Sequence, residues 1–344
     1  MSKTNPGRFF EDYRIGEIIP HAVPRTVSGG ERALYHALYP ARHALHSSDE
    51  FARACGLDGS PMDDLIAFHL VFGKTVPDIS LNAVANLGYA EGRWHRPVWA
   101  GDTLRAESEV IGLKENSSGT SGVVWVRTRG LNQNDELVLD YVRWVMVRKG
   151  RPDAPAPATV VPDLAKAVAP ADLVVPEGLD FTGYDSGLAG ERYRMGDYAI
   201  GEIIDHVDGV TIEEAEHMLA TRLWQNTAKV HFDATFRPDG KRLIYGGHII
   251  SIARALTFNG LANAQIMAAL NGGAHANPCF AGDTVRAFTE VLDLAETPAP
   301  GVAAIRLRTV AHKSGERDHK IKDQDGKYLP DILLDLDYWA FLPQ

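Results

Sequence analysis

The sequence predicts an α+β protein built from two copies of one domain, each a buried helix wrapped by an antiparallel sheet. Three observations carry that expectation: an internal repeat, a helix apolar on every side, and a run of branched, partly alternating strands after each helical region. The repeat is direct. Tyr13-Arg-Ile-Gly-Glu-Ile-Ile-Pro-His21 returns as Tyr198-Ala-Ile-Gly-Glu-Ile-Ile-Asp-His206, with seven of nine positions identical at an offset of 185. Pro97-Val-Trp-Ala-Gly-Asp-Thr-Leu-Arg-Ala106 returns as Pro278-Cys-Phe-Ala-Gly-Asp-Thr-Val-Arg-Ala287, with seven of ten identical at an offset of 181, so about four residues are lost between the motifs in the second copy.

The first domain occupies residues 1–150. After a polar opening and helical segments with apolar spacing, segments 106–113, 123–130 and 136–147 read as strands. Residues 151–190 form the linker. The stretch 148–178 holds six of the 19 prolines, which fix φ and remove ladder donors, so it runs extended, with Val160–Val161 and 173–175 pinning it to a domain surface. The second domain occupies residues 191–344. Its Ile249, Ile250, Ile252, Ala253, Leu256 and Phe258 leave almost no polar face, the pattern of a helix enclosed by its fold. Strands follow at 284–292, 303–310 and 332–341, with a polar insertion at 312–330 that the first copy lacks.

Composition narrows the functional classes. With 35 Lys plus Arg against 45 Asp plus Glu, the 344-residue chain carries a net charge of −10, which argues against nucleic acid as a partner. No apolar run approaches the roughly 18–20 residues that a membrane helix needs. The start lacks the apolar core of a signal peptide. Two cysteines, Cys55 and Cys279, are too few for a disulfide scaffold. These features predict a cytoplasmic protein without a membrane partner. No phosphate loop, nucleophile elbow or dinucleotide fingerprint is present, and His36, His43 and His46 lack the carboxylate or cysteine companions of a metal site.

The stretch Gln225-Asn226-Thr227-Ala228-Lys229-Val230-His231-Phe232-Asp233 resembles the activity motif of the MaoC group of hot-dog-fold hydratases and dehydratases, Gly-Asp-x-Asn-Pro-hydrophobic-His followed by x-Asp. The histidine matches at His231, while Asn226 stands where the family carries a catalytic Asp. In the first copy His46 is in register with His231, and Ala41 occupies the Asp position. Pro278-Cys-Phe-Ala-Gly-Asp-Thr-Val resembles the strand-opening turn of hot-dog domains and marks fold rather than activity. The phrases Ala41-Arg-His-Ala-Leu-His-Ser-Ser-Asp-Glu-Phe-Ala52, Trp224-Gln-Asn-Thr-Ala-Lys-Val-His-Phe232 and Tyr245-Gly-Gly-His248 resemble the branch of that family acting on a methyl-branched dicarboxylic enoyl-CoA. The resemblance covers both domains. It implies a tandem double hot-dog hydro-lyase that reversibly adds water to an α,β-unsaturated acyl-CoA, mesaconyl-CoA (2-methylfumaryl-CoA) giving β-methylmalyl-CoA. CoA is then part of the substrate, no cofactor or metal is expected, and a homodimer or higher homo-oligomer is expected from the way hot-dog domains pair.

Hydration needs donors for a carbonyl oxygen turning enolate-like, and a base for the water that attacks C3. Gly246 and Gly247 open the helix of the second copy, where free N–H groups favour negative charge. Met62-Asp63-Asp64 opens the helix of the first, where carboxylates occupy those donors. The catalytic half is therefore expected to be the second, with His231, Asn226 and Gly247 as catalytic residues and the first copy shaping the channel. His231 is the acid or base, its other reading being a core histidine that holds backbone. Asn226 can orient water but cannot take its proton. Arg237, Lys241 and Arg242 are candidate contacts for CoA phosphates, or simply the charges of a solvated turn. Gly246, His248, Arg42 and His46 complete the expected substrate contacts. Asp233 reads as a turn or cap. A straight-chain (R)-enoyl-CoA hydratase, a thioesterase and a non-catalytic acyl-thioester-binding protein are the competing functions.

Overall fold

The computed structural model describes residues 3–313, 315 and 318–344, so positions 314, 316 and 317 of the polar insertion and the first two residues lie outside the described residues. Each copy supplies five strands. The first has β1 (Ile18–Thr26), β2 (Ala83–Trp94), β3 (Thr103–Glu115), β4 (Ser121–Leu131) and β5 (Leu137–Arg148). The second has β6 (Ile203–Thr211), β7 (Ile266–His275), β8 (Thr284–Glu296), β9 (Val302–His312) and β10 (Ile332–Pro343). All ten form one sheet in the order β1-β3-β4-β5-β2-β7-β10-β9-β8-β6, so the copies meet edge to edge at β2 and β7.

That seam is antiparallel, with Tyr89 opposite Gly273, Gly92 opposite Leu270 and Arg93 opposite Ala269. The strand expectations were incomplete here: β2 and β7 carry Gly88, Gly92, Gly272 and Gly273, which weaken the alternation that marks a strand. Gly92 has a steric reason, since a Cβ there would lie 2.8 Å from the Leu270 side chain across the seam.

The repeated phrases build equivalent parts. In β1, His21 Nε2 lies 2.8 Å from Ser108 Oγ, and in β6 His206 Nε2 lies 2.7 Å from Thr289 Oγ1. Each Gly-Asp-Thr phrase is a turn, with the carboxylates of Asp102 and Asp283 accepting from the backbone N–H of Trp99 and Phe280 at 2.8 and 2.9 Å.

Two helices lie inside the curved sheet. The first core helix, Asp64–Thr75, has every residue from Leu65 to Thr75 buried, and the second, Gly246–Leu256, is buried from Gly247 onward. Their side chains join residues of both copies in a single apolar core. Between the copies the linker is mostly irregular rather than extended throughout, with short helical turns at Pro170–Asp172 and Ser186–Ala189. Val160 exchanges backbone hydrogen bonds with Leu113 at 2.8 and 2.9 Å, while Leu173 and Val175 pack on a second apolar cluster.

Candidate active site

A cavity of about 310 Å³ opens between the two copies. The first copy contributes Phe72 and Val76 from the end of its core helix, Ser80, residues of β2 from Ala83 to Tyr89, and Arg143 and Val145 of β5. The second contributes Asn226, Lys229, His231, Tyr245 to Gly247 and the run from His275 to Cys279. Among these, Val84, Lys229 and Phe236 are exposed and mark where the cavity meets solvent.

Asn226 and His231 are delivered by a short segment with a forced path. The Glu214–Leu223 helix ends by turning back, with Gln225 at φ 57° and the Asn226 N–H donating to the Thr221 carbonyl at 2.9 Å. The turn approaches the first core helix so closely that a Cβ on Gly73 would lie 1.7 Å from the Trp224 carbonyl oxygen. Asn226 is 2% exposed, and its side-chain Oδ1 accepts a long hydrogen bond, 3.4 Å from the Ala228 N–H.

One helical turn, Lys229–Phe232, carries His231. Its Nδ1 lies 2.8 Å from the Leu243 carbonyl. Burial pushes the imidazole down to about 4, so it is neutral at physiological pH. His275, at the end of β7, is also pushed down to about 4 by burial and lies 3.2 Å from the Tyr89 hydroxyl. Burial raises the Cys279 thiol to about 12, which removes the thiolate a nucleophile would need.

The two helix openings differ as their sequences predict. Asp63 accepts from the Leu65 N–H at 3.0 Å and Asp64 from the Met267 N–H at 2.8 Å. At the second helix no side chain caps the first turn, and Gly246 and Gly247 line the cavity with their N–H groups unclaimed by a cap. The glycines also have an internal steric reason: a Cβ would fall 2.4 Å from the His275 ring at Gly246 and 2.0 Å from the Tyr245 hydroxyl at Gly247. Backbone approach by a substrate is thus only part of why glycine stands there.

Several expected contacts are not brought to the cavity. His46 is 1% exposed and sits 3.4 Å from the Asp64 carboxylate and 3.1 Å from the Gln265 carbonyl. Burial is the largest single influence and lowers its pKa, but the Asp64 charge, the hydrogen bond to Asp64 and the Asp63 charge together raise it. Arg42 stacks over the Phe258 ring at 4.3 Å. His248 turns inward, buried with its Nδ1 3.2 Å from the Tyr39 hydroxyl. Arg42, His46 and His248 thus do not line this cavity: His46 and His248 sit in the core and Arg42 packs on an aromatic ring. Arg237, Lys241 and Arg242 lie on the loop between Phe236 and Leu243 without lining the cavity. Arg237 is clamped by Asp239 at 2.7 Å and Arg242 by Glu214 at 2.5 Å, while Lys241 lies over the Phe280 ring at 5.9 Å. Asp233 accepts from the Thr235 N–H at 2.9 Å, a local cap. Among the described residues no group of three His, Cys, Asp or Glu is placed to hold a metal ion.

The lining residues His275, Tyr89, Asn86 and Arg143 were not expected from sequence. His275 and Tyr89 lie in the glycine-interrupted seam strands and belong to no motif. Arg143 had a visible signal, a single cation inside Tyr141-Val-Arg-Trp-Val145.

Comparison with known proteins identifies the family. A family model for mesaconyl-CoA hydratase matches residues 2–320. The chain belongs to the mesaconyl-CoA hydratase family. A mesaconyl-CoA hydratase of Cereibacter sphaeroides is 77% identical over 99% of this chain and 100% of its own length. A β-methylmalyl-CoA dehydratase of Chloroflexus aurantiacus is 55% identical over 100% and 99%. Among solved structures, a chain described as a MaoC domain protein dehydratase from Chloroflexus aurantiacus superposes with a TM-score of 0.97 at 55% identity, covering 100% of this chain and 99% of that one. A Mycobacterium tuberculosis protein described as a double hotdog fold gives 0.76 at 24% identity, covering 97% and 98%. The fold is accordingly the tandem double hot-dog of MaoC-like dehydratases, and members of this family are hydro-lyases.

Proposed function

We propose that this protein reversibly adds water to mesaconyl-CoA to give β-methylmalyl-CoA, in the cavity between its two copies. The observation that carries the reading is the convergence, in one cavity, of a neutral imidazole at His231 and an uncapped helix start at Gly246–Gly247.

The thioester carbonyl oxygen is placed against the Gly246 and Gly247 N–H groups, where a helix N-terminus stabilises the charge it gains. Water held by the Asn226 amide gives its proton to His231 Nε2, and its oxygen bonds C3. The C2=C3 pair shifts to make the enolate. His231 then returns the proton to C2 and the carbonyl re-forms, so one water is added and His231 ends as it began. A low folded pKa makes His231 a weak base but its protonated form a strong acid, which suits the return of the proton to carbon. The thioester supplies the activation, so the scheme uses neither metal nor redox group.

Lys229 at the opening, with Arg237 and Lys241 on the adjoining loop, supplies cations for the CoA phosphates. In this reading the second copy is the catalytic half and the first shapes the acyl pocket, with 151–190 as the connector. The protein is placed in the cytoplasm as a homodimer or larger homo-oligomer, a reading supported by its buried free cysteines and by the pairing habit of hot-dog domains. No helix among the described residues is long and apolar enough to cross a membrane.

The test is loss of enoyl absorbance on adding purified protein to mesaconyl-CoA and, separately, to crotonyl-CoA. Faster turnover of mesaconyl-CoA supports the reading. Preference for crotonyl-CoA points to a straight-chain hydratase, and binding without absorbance loss points to a non-catalytic carrier. Release of free thiol identifies a thioesterase.

A further inference from the structure

Arg143 is 0% exposed in β5, yet it lines the cavity. Among the described residues its only hydrogen bonds run from Nη2, to Thr75 Oγ1 at 2.6 Å and Ser80 Oγ at 2.9 Å, and its guanidinium lies over the Phe72 ring at 4.3 Å. Nε has no partner. The titratable groups around it are the tyrosines Tyr141, Tyr89 and Tyr13, all protonated and neutral at neutral pH, and no carboxylate among the described residues pairs with it. A buried guanidinium without an anion is an expensive arrangement that ordinary folding avoids. Beside it, the Asn86 amide lies near the Tyr89 hydroxyl, yet neither of its polar atoms completes a hydrogen bond.

The second copy shows the same parts in a closed form. Tyr338 of β10 precedes Trp339 as Arg143 precedes Trp144, and Arg254 of the second core helix lies over the Tyr338 ring at 6.0 Å. The arginine and aromatic have exchanged places between helix and strand. Arg254 is bonded to Thr257 Oγ1 at 2.9 Å and to the Ala264 carbonyl, and it does not line the cavity. An arginine packed on an aromatic inside this fold can therefore bond protein acceptors through both terminal nitrogens. Only in the first copy does the arginine line the cavity.

We propose that Arg143 is the specificity-determining receptor for a carboxylate at the distal end of the acyl group, assisted by Asn86, so that the site takes dicarboxylic enoyl thioesters. Nε and an Nη form the planar fork that a carboxylate accepts in two hydrogen bonds. The inference rests on the hydratase reading above and adds the residue that selects among its substrates.

The test compares mesaconyl-CoA with tiglyl-CoA, the isostere carrying a methyl group in place of the carboxylate, on wild-type protein and on Arg143→Met. In the wild type kcat/KM for mesaconyl-CoA exceeds that for tiglyl-CoA by about 100-fold or more, the range expected when a buried charge keeps or loses its partner. In Arg143→Met that ratio collapses toward one. A wild type that treats the two alike, or a variant that keeps the wild-type ratio, overturns the role of Arg143. A wild type that hydrates neither fails the hydratase reading instead. Should Arg143→Met not fold, the wild-type comparison and Arg143→Lys decide, since lysine keeps the charge but loses the fork; an unchanged ratio for both substrates in Arg143→Lys, with no wild-type discrimination, rejects the proposal.

Discussion

The Nδ1 of His231 lies 2.8 Å from the main-chain carbonyl of Leu243. A carbonyl only accepts, so Nδ1 carries the hydrogen and Nε2 keeps its lone pair. The tautomer is thereby set for taking a proton from water. Because burial holds the ring at about 4, it does not titrate between pH 6 and 8. The expected kcat/KM profile is flat over that interval, and a bend near pH 6.5 assigned to His231 would contradict it. His231→Ala should lower kcat by about 10²–10⁴-fold, the contribution of a positioned acid–base group. Near-normal turnover would return His231 to the role of a core histidine.

Asn226 occupies the position of a family carboxylate, and the proposed substrate explains the exchange. The C4 carboxylate of mesaconyl-CoA adjoins C3, where the water adds, so an aspartate at 226 would set two negative charges around one small volume. Asn226→Asp should therefore raise KM for mesaconyl-CoA by about tenfold or more while moving the preference toward crotonyl-CoA, whose acyl group is neutral. Steady-state kinetics with both substrates check this. Equal changes for both would mean that charge is not why asparagine stands there.

Gly73 belongs to the first copy and touches no substrate, yet it shapes the second copy's site. A Cβ at 73 would lie 1.7 Å from the Trp224 carbonyl, two residues before Asn226. Gly73→Ala should force the 224–226 turn away from the helix. Overpacking of this kind costs about 1–3 kcal/mol, to be read as a lower thermal midpoint, and kcat should fall more than KM changes because Asn226 loses its place. An unchanged midpoint and kcat would show that the turn yields freely.

Much of this arrangement was legible in the sequence, for reasons tied to covalent spacing. Asn226 and His231 are five residues apart on one segment, and Gly246 and Gly247 open a helix, so local pattern placed all four. Arg143, His275 and Tyr89 are far apart in the chain and reach the cavity only when β2 pairs with β7 and closes the sheet. The glycines that let those strands meet also erase the alternation that would have revealed them. Arg42 and His46 lie outside this cavity for a different reason: they share the register of that segment, but in the first copy Asp63 caps the helix opening and Asp64 holds His46 itself.

The buried histidines set the acid limit of the fold. Burial lowers His69, His217 and His248 to about 3 and His206, His231 and His275 to about 4, and holds His43 well below its usual value. The unfolded chain protonates these side chains near pH 6.5. Between about 6.5 and 4 the unfolded state thus binds more protons than the folded one, so stability is fully present above that window and is lost as pH falls through it. His46 has the opposite sign, since Asp64 raises it; its contribution is present at low pH and is lost as pH rises through its folded value. One group opposes many, so unfolding free energy should drop steeply from pH 6.5 to 4.5, by up to about 1.4 kcal/mol per pH unit for each fully coupled histidine. Denaturant titrations at several pH values, with proton uptake measured on unfolding at pH 5.5, check this. Uptake of less than one proton would show that the interior histidines are already charged in the native protein.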